Sequence, residues 1–379
     1  MILPKYMHDY SLGDFFVSKM GIFHDYGNEL RQELSKLYKA DRILFLDSGR
    51  SAFNLILKHL DLPPGSEVAI PVNVCRVVPD VIIANGLKPL FIDIDDNLTI
   101  SLDDLKRKMT KNTKVVVPVH AFGNVCDMPS IMGFARKNRL VVVEDCAQTL
   151  DASFNKQIVG TFADYSFFSL DVTKHISSFG GGILVTKDDS FYRKTKSFLE
   201  RRQKVGFGVL FNLFAFRFFS SPFIYSIFTK HLIRNYKQLS YYKPGNMRLS
   251  RIGTALAYSQ VRKLSLISKT RSENARNFML NLSDDVRILS SAKSRVPSYL
   301  FLPVGVRNPS KVERVLYRHY VDLPKAPPLL TSIDSYRPYY SGCPNSLRVY
   351  SSLILLPTYR KINSRITGIC RIITNINRS

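Results

Sequence analysis

Residues 140–148 read Leu-Val-Val-Val-Glu-Asp-Cys-Ala-Gln. An unbroken apolar run of about five residues, with no alternating polar positions, is the pattern of a strand buried on both faces. Six similar runs occur: Arg42–Leu46, Glu67–Val72, Pro89–Ile94, Val115–Val119, Tyr165–Ser169 and Gly182–Thr186. Amphipathic helical stretches lie between several of them, most clearly Ser51–Leu60 and Met128–Asn138. Strands alternating with helices imply right-handed crossovers and a mainly parallel sheet. The expectation is one large α/β domain built on seven strands.

The remainder of the chain is consistent with that core. Its 379 residues are 45% hydrophobic and 22% charged, an ordinary globular composition. Disorder, collagen-like repeats and a short disulfide scaffold are excluded on that basis. From about residue 250 the pattern changes. Arg251–Leu282 reads as one long helix, followed by a smaller α+β region with a loop at Lys325-Ala326-Pro327-Pro328. The expected division is a large domain over 1–250, with an insertion at about 205–240, and a small C-terminal domain over 251–379. The five cysteines form no CxxC pair, which argues against a disulfide framework or a zinc site and for a reducing compartment. The first fifteen residues lack a basic segment followed by an apolar one, so a secretory signal is not expected.

The net charge of +24 is unevenly placed. Residues 191–379 hold 33 of the 54 Lys and Arg but only seven of the 30 Asp and Glu, a balance of +26 that leaves −2 for residues 1–190. Such asymmetry suits nucleic acid, a membrane surface or phosphorylated substrates, or a chain that is simply rich in Lys and Arg. No helix-turn-helix, zinc-finger or RNA-binding signature accompanies it, so nucleic acid is not expected. Residues 205–229 carry one charge, Arg217, and nine aromatics. Phe207, Phe211, Phe214, Phe218 and Tyr225 fall at helical spacing. Arg217 and Pro222 interrupt what would otherwise approach a spanning segment. Arg201, Arg202 and Lys204 precede the run, and Lys230, Arg234 and Lys237 follow it. A peripheral membrane segment fits these flanks. A lid or a dimer-packing element with the stripe as core fits equally.

In open α/β sheets ligands gather at the carboxyl ends of strands. There the sequence places Asp145 and Gln148 after one run, Asp47-Ser48-Gly49-Arg50-Ser51 after another, and Lys174 ahead of Gly180-Gly181-Gly182 after a third. A strand-end carboxylate, a loop lysine and a Ser-Gly helix start suit pyridoxal phosphate. Taken singly, each has a plainer reading as a helix cap or a solvated side chain.

Several ordered segments together resemble the DegT/DnrJ/StrS family. They are Pro118-Val119-His120-Ala121-Phe122-Gly123, Val143-Glu144-Asp145-Cys146-Ala147-Gln148, Ser169-Leu170-Asp171-Val172-Thr173-Lys174 and Gly181-Gly182-Ile183-Leu184-Val185-Thr186. Leu46–Ala52 resembles the family's phosphate turn, Asn246-Met247-Arg248-Leu249-Ser250 its NxRMS element, and Ser352–Pro357 its SLPLxP element. The resemblance implies the type I pyridoxal-phosphate transferase fold and a cytoplasmic homodimeric sugar aminotransferase. It implies Lys174 as the Schiff-base lysine and Asp145 as the partner of the pyridine nitrogen. Gln148 would touch the ring, and Ser169, Gly49, Arg50 and Ser51 would hold the phosphate. Asn246 would reach the phosphate of the other subunit, and Arg248 an anionic substrate group. His120 would either sit near the cofactor or brace its strand. Two departures stand out. Cys75 occupies the position where the family stacks an aromatic residue on the ring, and Gly49-Arg50 replaces a Gly-Thr turn. The function implied is transfer of an amino group from an amino-acid donor such as glutamate to a keto-sugar, nucleotide-linked, for surface polysaccharide or glycoconjugate synthesis. The alternative is a non-catalytic or regulatory relative that docks on a membrane or partner.

Overall fold

A computed structural model describes residues 2–219, 221–225, 245–290, 294–329 and 334–378. The seven expected runs all form strands of one sheet: β1 (Ile43–Leu46), β2 (Glu67–Pro71), β3 (Lys88–Ile92), β4 (Thr113–Val116), β5 (Val141–Asp145), β8 (Tyr165–Ser169) and β9 (Gly182–Thr186). Two-residue strands β6 (Ser153–Phe154) and β7 (Gln157–Ile158) form a separate hairpin. The sheet order is β1-β9-β8-β5-β4-β2-β3. Pairs β2/β3, β2/β4, β4/β5 and β5/β8 are parallel, while β9 runs antiparallel to both β1 and β8. That reversal matters for function. The start of β9 lies at the same sheet edge as the carboxyl ends of β1, β5 and β8, so their connecting loops converge.

The sheet is buried on both faces, as its uninterrupted apolar runs require. On one face Phe53, Ile56 and Leu57 of the helix Gly49–Leu60 pack with Leu46, Val143 and Leu184. On the other, Met128, Ile131 and Ala135 of the helix Met128–Lys137 meet Ala69, Val116 and Val142. Proline at the start of that helix and the Asp127 side chain, accepting from the Ser130 N–H, fix where it begins.

A smaller antiparallel sheet has the order β10 (Arg287–Ile288), β12 (Phe301–Gly305), β13 (Leu353–Pro357), and β11 (Arg295–Val296) joins β6. Helices Pro309–Arg318 and Ile366–Arg378 cover the smaller sheet. Leu3 and Met7 from the N-terminus join this second core, and Leu3 bridges Val321.

The long helix expected over Arg251–Leu282 is two helices, Arg251–Val261 and Leu264–Asn281. The break at Arg262–Lys263 coincides with a tertiary anchor. Ser259 and Gln260 donate to Oδ1 of the buried Asp14, and Lys263 pairs with its Oδ2. The aromatic segment forms the helix Gly208–Phe219 and a single turn at Pro222–Ile224. Lys230, Arg234 and Lys237 lie outside the described residues. Four of the five stripe residues face outward, so the stripe is not core. Tyr225 is the exception, buried with its hydroxyl donating to Asp322 at 2.9 Å. Among the described residues, no helix is long and apolar enough to cross a membrane.

Candidate active site

Three loops meet where β1, β8 and β9 come together. The first follows β1. Ser48 caps the helix Gly49–Leu60, its Oγ accepting the Ser51 N–H at 3.1 Å. Close packing demands glycine twice here. A Cβ on Gly182 would stand 2.3 Å from the Ser48 carbonyl carbon, and one on Gly49 would stand 2.8 Å from the Phe168 carbonyl oxygen. The bare backbone lets the turn lie against the start of β9 and leaves the first N–H groups of a twelve-residue helix pointing outward as an anion cradle. The Asn246 N–H donates to Ser51 Oγ at 3.3 Å, and its Oδ1 accepts from Asn54 at 3.1 Å. Asn246 is therefore engaged by the Ser48–Ser51 turn and the helix that follows it in its own chain. Ser169 ends β8 beside it, and Ser169 Oγ accepts the Asp171 N–H at 3.3 Å. Arg50 is half-buried in the helix's first turn.

Asp145 ends β5 and is buried. Its Oδ1 accepts the Ala147 N–H at 2.9 Å. Burial pushes its carboxyl up to about 6, while that hydrogen bond, Lys174 and His120 pull it down. Lys174 stands half-buried on the β8–β9 loop, where it lines a small cleft with Tyr6, His8, Arg271 and Tyr359. The Gln148 side chain accepts the Phe122 N–H at 2.7 Å and is held toward the same sheet edge.

His120 braces. Its own N–H donates to the Asp145 carbonyl at 3.1 Å. Its Nδ1 accepts the Cys126 N–H at 3.2 Å, so the ring hydrogen sits on Nε2, 3.5 Å from Glu144 Oε2. Glu144 in turn accepts three backbone N–H groups, from Gly160, Phe162 and Ala163, each at 2.8 Å. His120, Glu144 and Cys146 bring one ligand-type atom each within 4.8 Å. The three backbone bonds to Glu144, and a Cys146 thiol pushed well above its usual range first by burial, favour a brace for the Asp145 strand over a metal site.

The Arg248 side chain is engaged elsewhere. Arg248 pairs with Asp25 at 2.6 Å beside edge strand β1, in a cavity of about 250 Å³ that also holds Arg31, Lys196 and Glu200. That cavity includes none of the other candidate residues. Cys75 is exposed in the turn after β2, ahead of the helix Val77–Ala84.

The structure adds residues that sequence reading passed over. His8 Nε2 meets the Val172 carbonyl at 2.7 Å, and His175 Nε2 meets the Ser298 carbonyl at 3.0 Å. Burial is the main reason that His8 falls to about 4 and His175 to about 3, so both rings are neutral at pH 7. Arg271, buried behind them, donates to the Leu300 carbonyl and Thr358 Oγ1, both at 3.0 Å. These contacts tie the lysine loop to the N-terminus and the smaller sheet. The only local signal was a histidine directly following Lys174.

A backbone anion cradle that admits no Cβ, a buried carboxyl that gains from a cationic partner, and a lysine on the adjoining loop fit pyridoxal phosphate. The fold and this site together define a type I pyridoxal-phosphate transferase architecture. The model of the DegT/DnrJ/EryC1/StrS aminotransferase family matches residues 16–374, and the chain belongs to that family. It is 34% identical over 177 residues to the UDP-N-acetyl-3-dehydro-α-D-glucosamine 3-aminotransferase of Acidithiobacillus ferrooxidans, covering 46% of this chain and 48% of the relative. It is 32% identical over 186 residues to the GDP-perosamine synthase of Vibrio cholerae, covering 49% and 50%. The chain thus spans about half the length of the curated relatives it matches. In structure it resembles the aminotransferase TlmJ of Streptoalloteichus hindustanus, with a TM-score of 0.82 over 99% of this chain and 98% of that one, at 17% identity.

Proposed function

We propose that the protein is a pyridoxal-phosphate-dependent aminotransferase. It would take an amino group from an amino-acid donor, glutamate or a similar acid, and deliver it to a nucleotide-linked keto-sugar whose product feeds a surface polysaccharide or glycoconjugate. The observation that carries this reading is the convergence of Lys174, Asp145 and the Ser48–Ser51 turn at one sheet edge. The cofactor supplies an electron sink and a carrier for the amino group. Lys174 would hold it and would move the proton at the substrate carbon. Asp145 would face the pyridine nitrogen and keep it protonated. Backbone N–H groups of Gly49 and Arg50, with Ser51, Ser169 and Asn246, would hold the phosphate, and the Arg50 guanidinium would reinforce them. Gln148 steadies the ring, and Cys75 covers it by soft contact in place of an aromatic stack. Arg248 would meet an anionic substrate group on release from Asp25. The reading includes a cytoplasmic homodimer, supported by the family and by five free cysteines.

The names of the relatives from Acidithiobacillus and Vibrio favour a nucleotide sugar as acceptor. Cofactor-loaded protein is expected to show a visible absorbance band that borohydride fixes to Lys174 and that Lys174→Ala abolishes. A protein that stays colourless with excess cofactor refutes the reading. The departure at Cys75 favours one alternative, a regulatory relative that binds the cofactor without turning over. Glutamate separates the two: bleaching of the band supports amino transfer, and an unchanged band supports the alternative.

A further inference from the structure

The helix Gly208–Phe219 has two unlike faces. On one, Leu213 is buried, and Phe216 packs against His8, Tyr10 and Phe179 with ring centroids 5.7 Å apart in each case. Arg217 donates to the Tyr10 carbonyl at 3.0 Å, pinning the same side. On the other, Phe207, Phe211, Phe214 and Phe218 point to solvent, with Phe211 72% and Phe214 67% exposed. The helix Leu12–Met20 packs alongside. It also turns apolar side chains outward, with Phe16 at 65% and Phe23, just beyond it, at 75%. Single exposed hydrophobes are ordinary, whereas a row of phenylalanines at helical spacing, with further exposed phenylalanines on the helix that touches it and just beyond, marks an interaction surface.

Charge selects the partner. Residues 201–272 contain fourteen Lys and Arg and no Asp or Glu. Arg201, Arg202, Lys204 and Arg217 border the stripe, and Lys19 closes the neighbouring helix. The carboxylate nearest in sequence on that helix, Asp14, is buried and neutralised by Lys263. Aromatic side chains beside a cationic rim combine the two forces of peripheral bilayer binding: apolar insertion at the headgroup level and attraction to anionic lipid. A second copy of the chain would set the same cationic rim against itself, which opposes pairing through this face. We propose that the outward faces of helices Leu12–Met20 and Gly208–Phe219 form one docking surface for an anionic lipid bilayer, with the helices lying in the interface. None of the outward phenylalanines is among the residues proposed to hold the cofactor, so the two can be tested separately.

The test uses full-length, cofactor-loaded protein and flotation with phosphatidylcholine vesicles, with or without about one third phosphatidylglycerol. Binding is expected on the anionic vesicles only, and to weaken as salt rises. Phe211→Ser with Phe214→Ser is expected to weaken partitioning by about tenfold or more, with the visible cofactor band and far-UV circular dichroism unchanged. Phe16→Ser with Phe23→Ser, on and just beyond the other helix, is expected to do the same. Absence of binding to anionic vesicles overturns the proposal, as does equal binding by both double variants and the parent. Variants that leave vesicle binding intact but sediment as a smaller assembly also overturn it, and assign the face to a second copy.

Discussion

Asp145 is held in conflict with its own burial, and that conflict can be measured. An aspartate in an unfolded chain titrates near 3.9. In the cofactor-free protein, burial raises Asp145 to about 6. Between those values the native state binds the proton more tightly than the unfolded state. The contribution of this group is therefore fully present below about pH 4 and is lost as pH rises through 6. Above that, the buried carboxylate costs about 3 kcal/mol, from two pH units at about 1.4 kcal/mol each. Asp145→Asn removes the charge and keeps an oxygen to accept the Ala147 N–H. The cofactor-free variant should be more stable than its parent by up to about 3 kcal/mol at pH 7.5, and equal to it near pH 4. For a chain of this length that difference is a rise of about 4 °C in Tm. His8 and His175 act oppositely: their depressed values give stability that is present above about pH 6.5 and lost as pH falls toward 4 and 3. Both proteins contain them, so they cancel in the difference. Loading with cofactor should reverse the order, because a protonated pyridine nitrogen stabilises the carboxylate and not the amide. Urea titrations across pH 4–8, with and without cofactor, check this. A difference that is absent at pH 7.5, or that stays constant across the range, refutes the reasoning.

Three further outcomes follow from contacts around the site. Glu144→Ala leaves three buried N–H groups without their acceptor and should cost about 3 kcal/mol or more in urea unfolding, with Glu144→Gln intermediate. Gly182→Ala would drive a methyl group into the Ser48 carbonyl, so cofactor titration should show loss of phosphate anchoring well before any loss of the far-UV spectrum. Phe179 holds a left-handed φ of 58° and stacks on Tyr10 at 5.4 Å. Phe179→Gly relieves backbone strain of about 1 kcal/mol but frees the helix Gly208–Phe219, which should be read as faster amide exchange in that helix alone.

The large sheet was legible because a parallel strand covered on both faces must be apolar throughout, and few other segments can be. Each of the seven runs became a strand within three residues at either end. The residues proposed for the site share that origin: they follow those strands directly, so Asp145, Ser169 and the Ser48–Ser51 turn inherit their positions from the sheet. What escaped depends on contacts remote in sequence. The Arg248 motif could not reveal a carboxylate 223 residues away, and the uniform apolar period of 251–282 could not reveal the Asp14 anchor at its middle. His8, His175 and Arg271 were silent because periodicity reports a face and not which polar group that face covers.

The aromatic stripe shows that limit most sharply. Its spacing identified a helix face equally suited to core or surface, and only the packing of Phe216 on Tyr10 and Phe179 decides which side is inward. That same packing has a functional consequence. Phe179 belongs to the loop that carries Lys174, and Tyr10 donates to the Ser177 carbonyl of that loop at 3.1 Å. The helix bearing the outward phenylalanines therefore rests on the lysine loop itself. Whatever covers the stripe is separated from the loop that carries Lys174 by the one helix that packs on it.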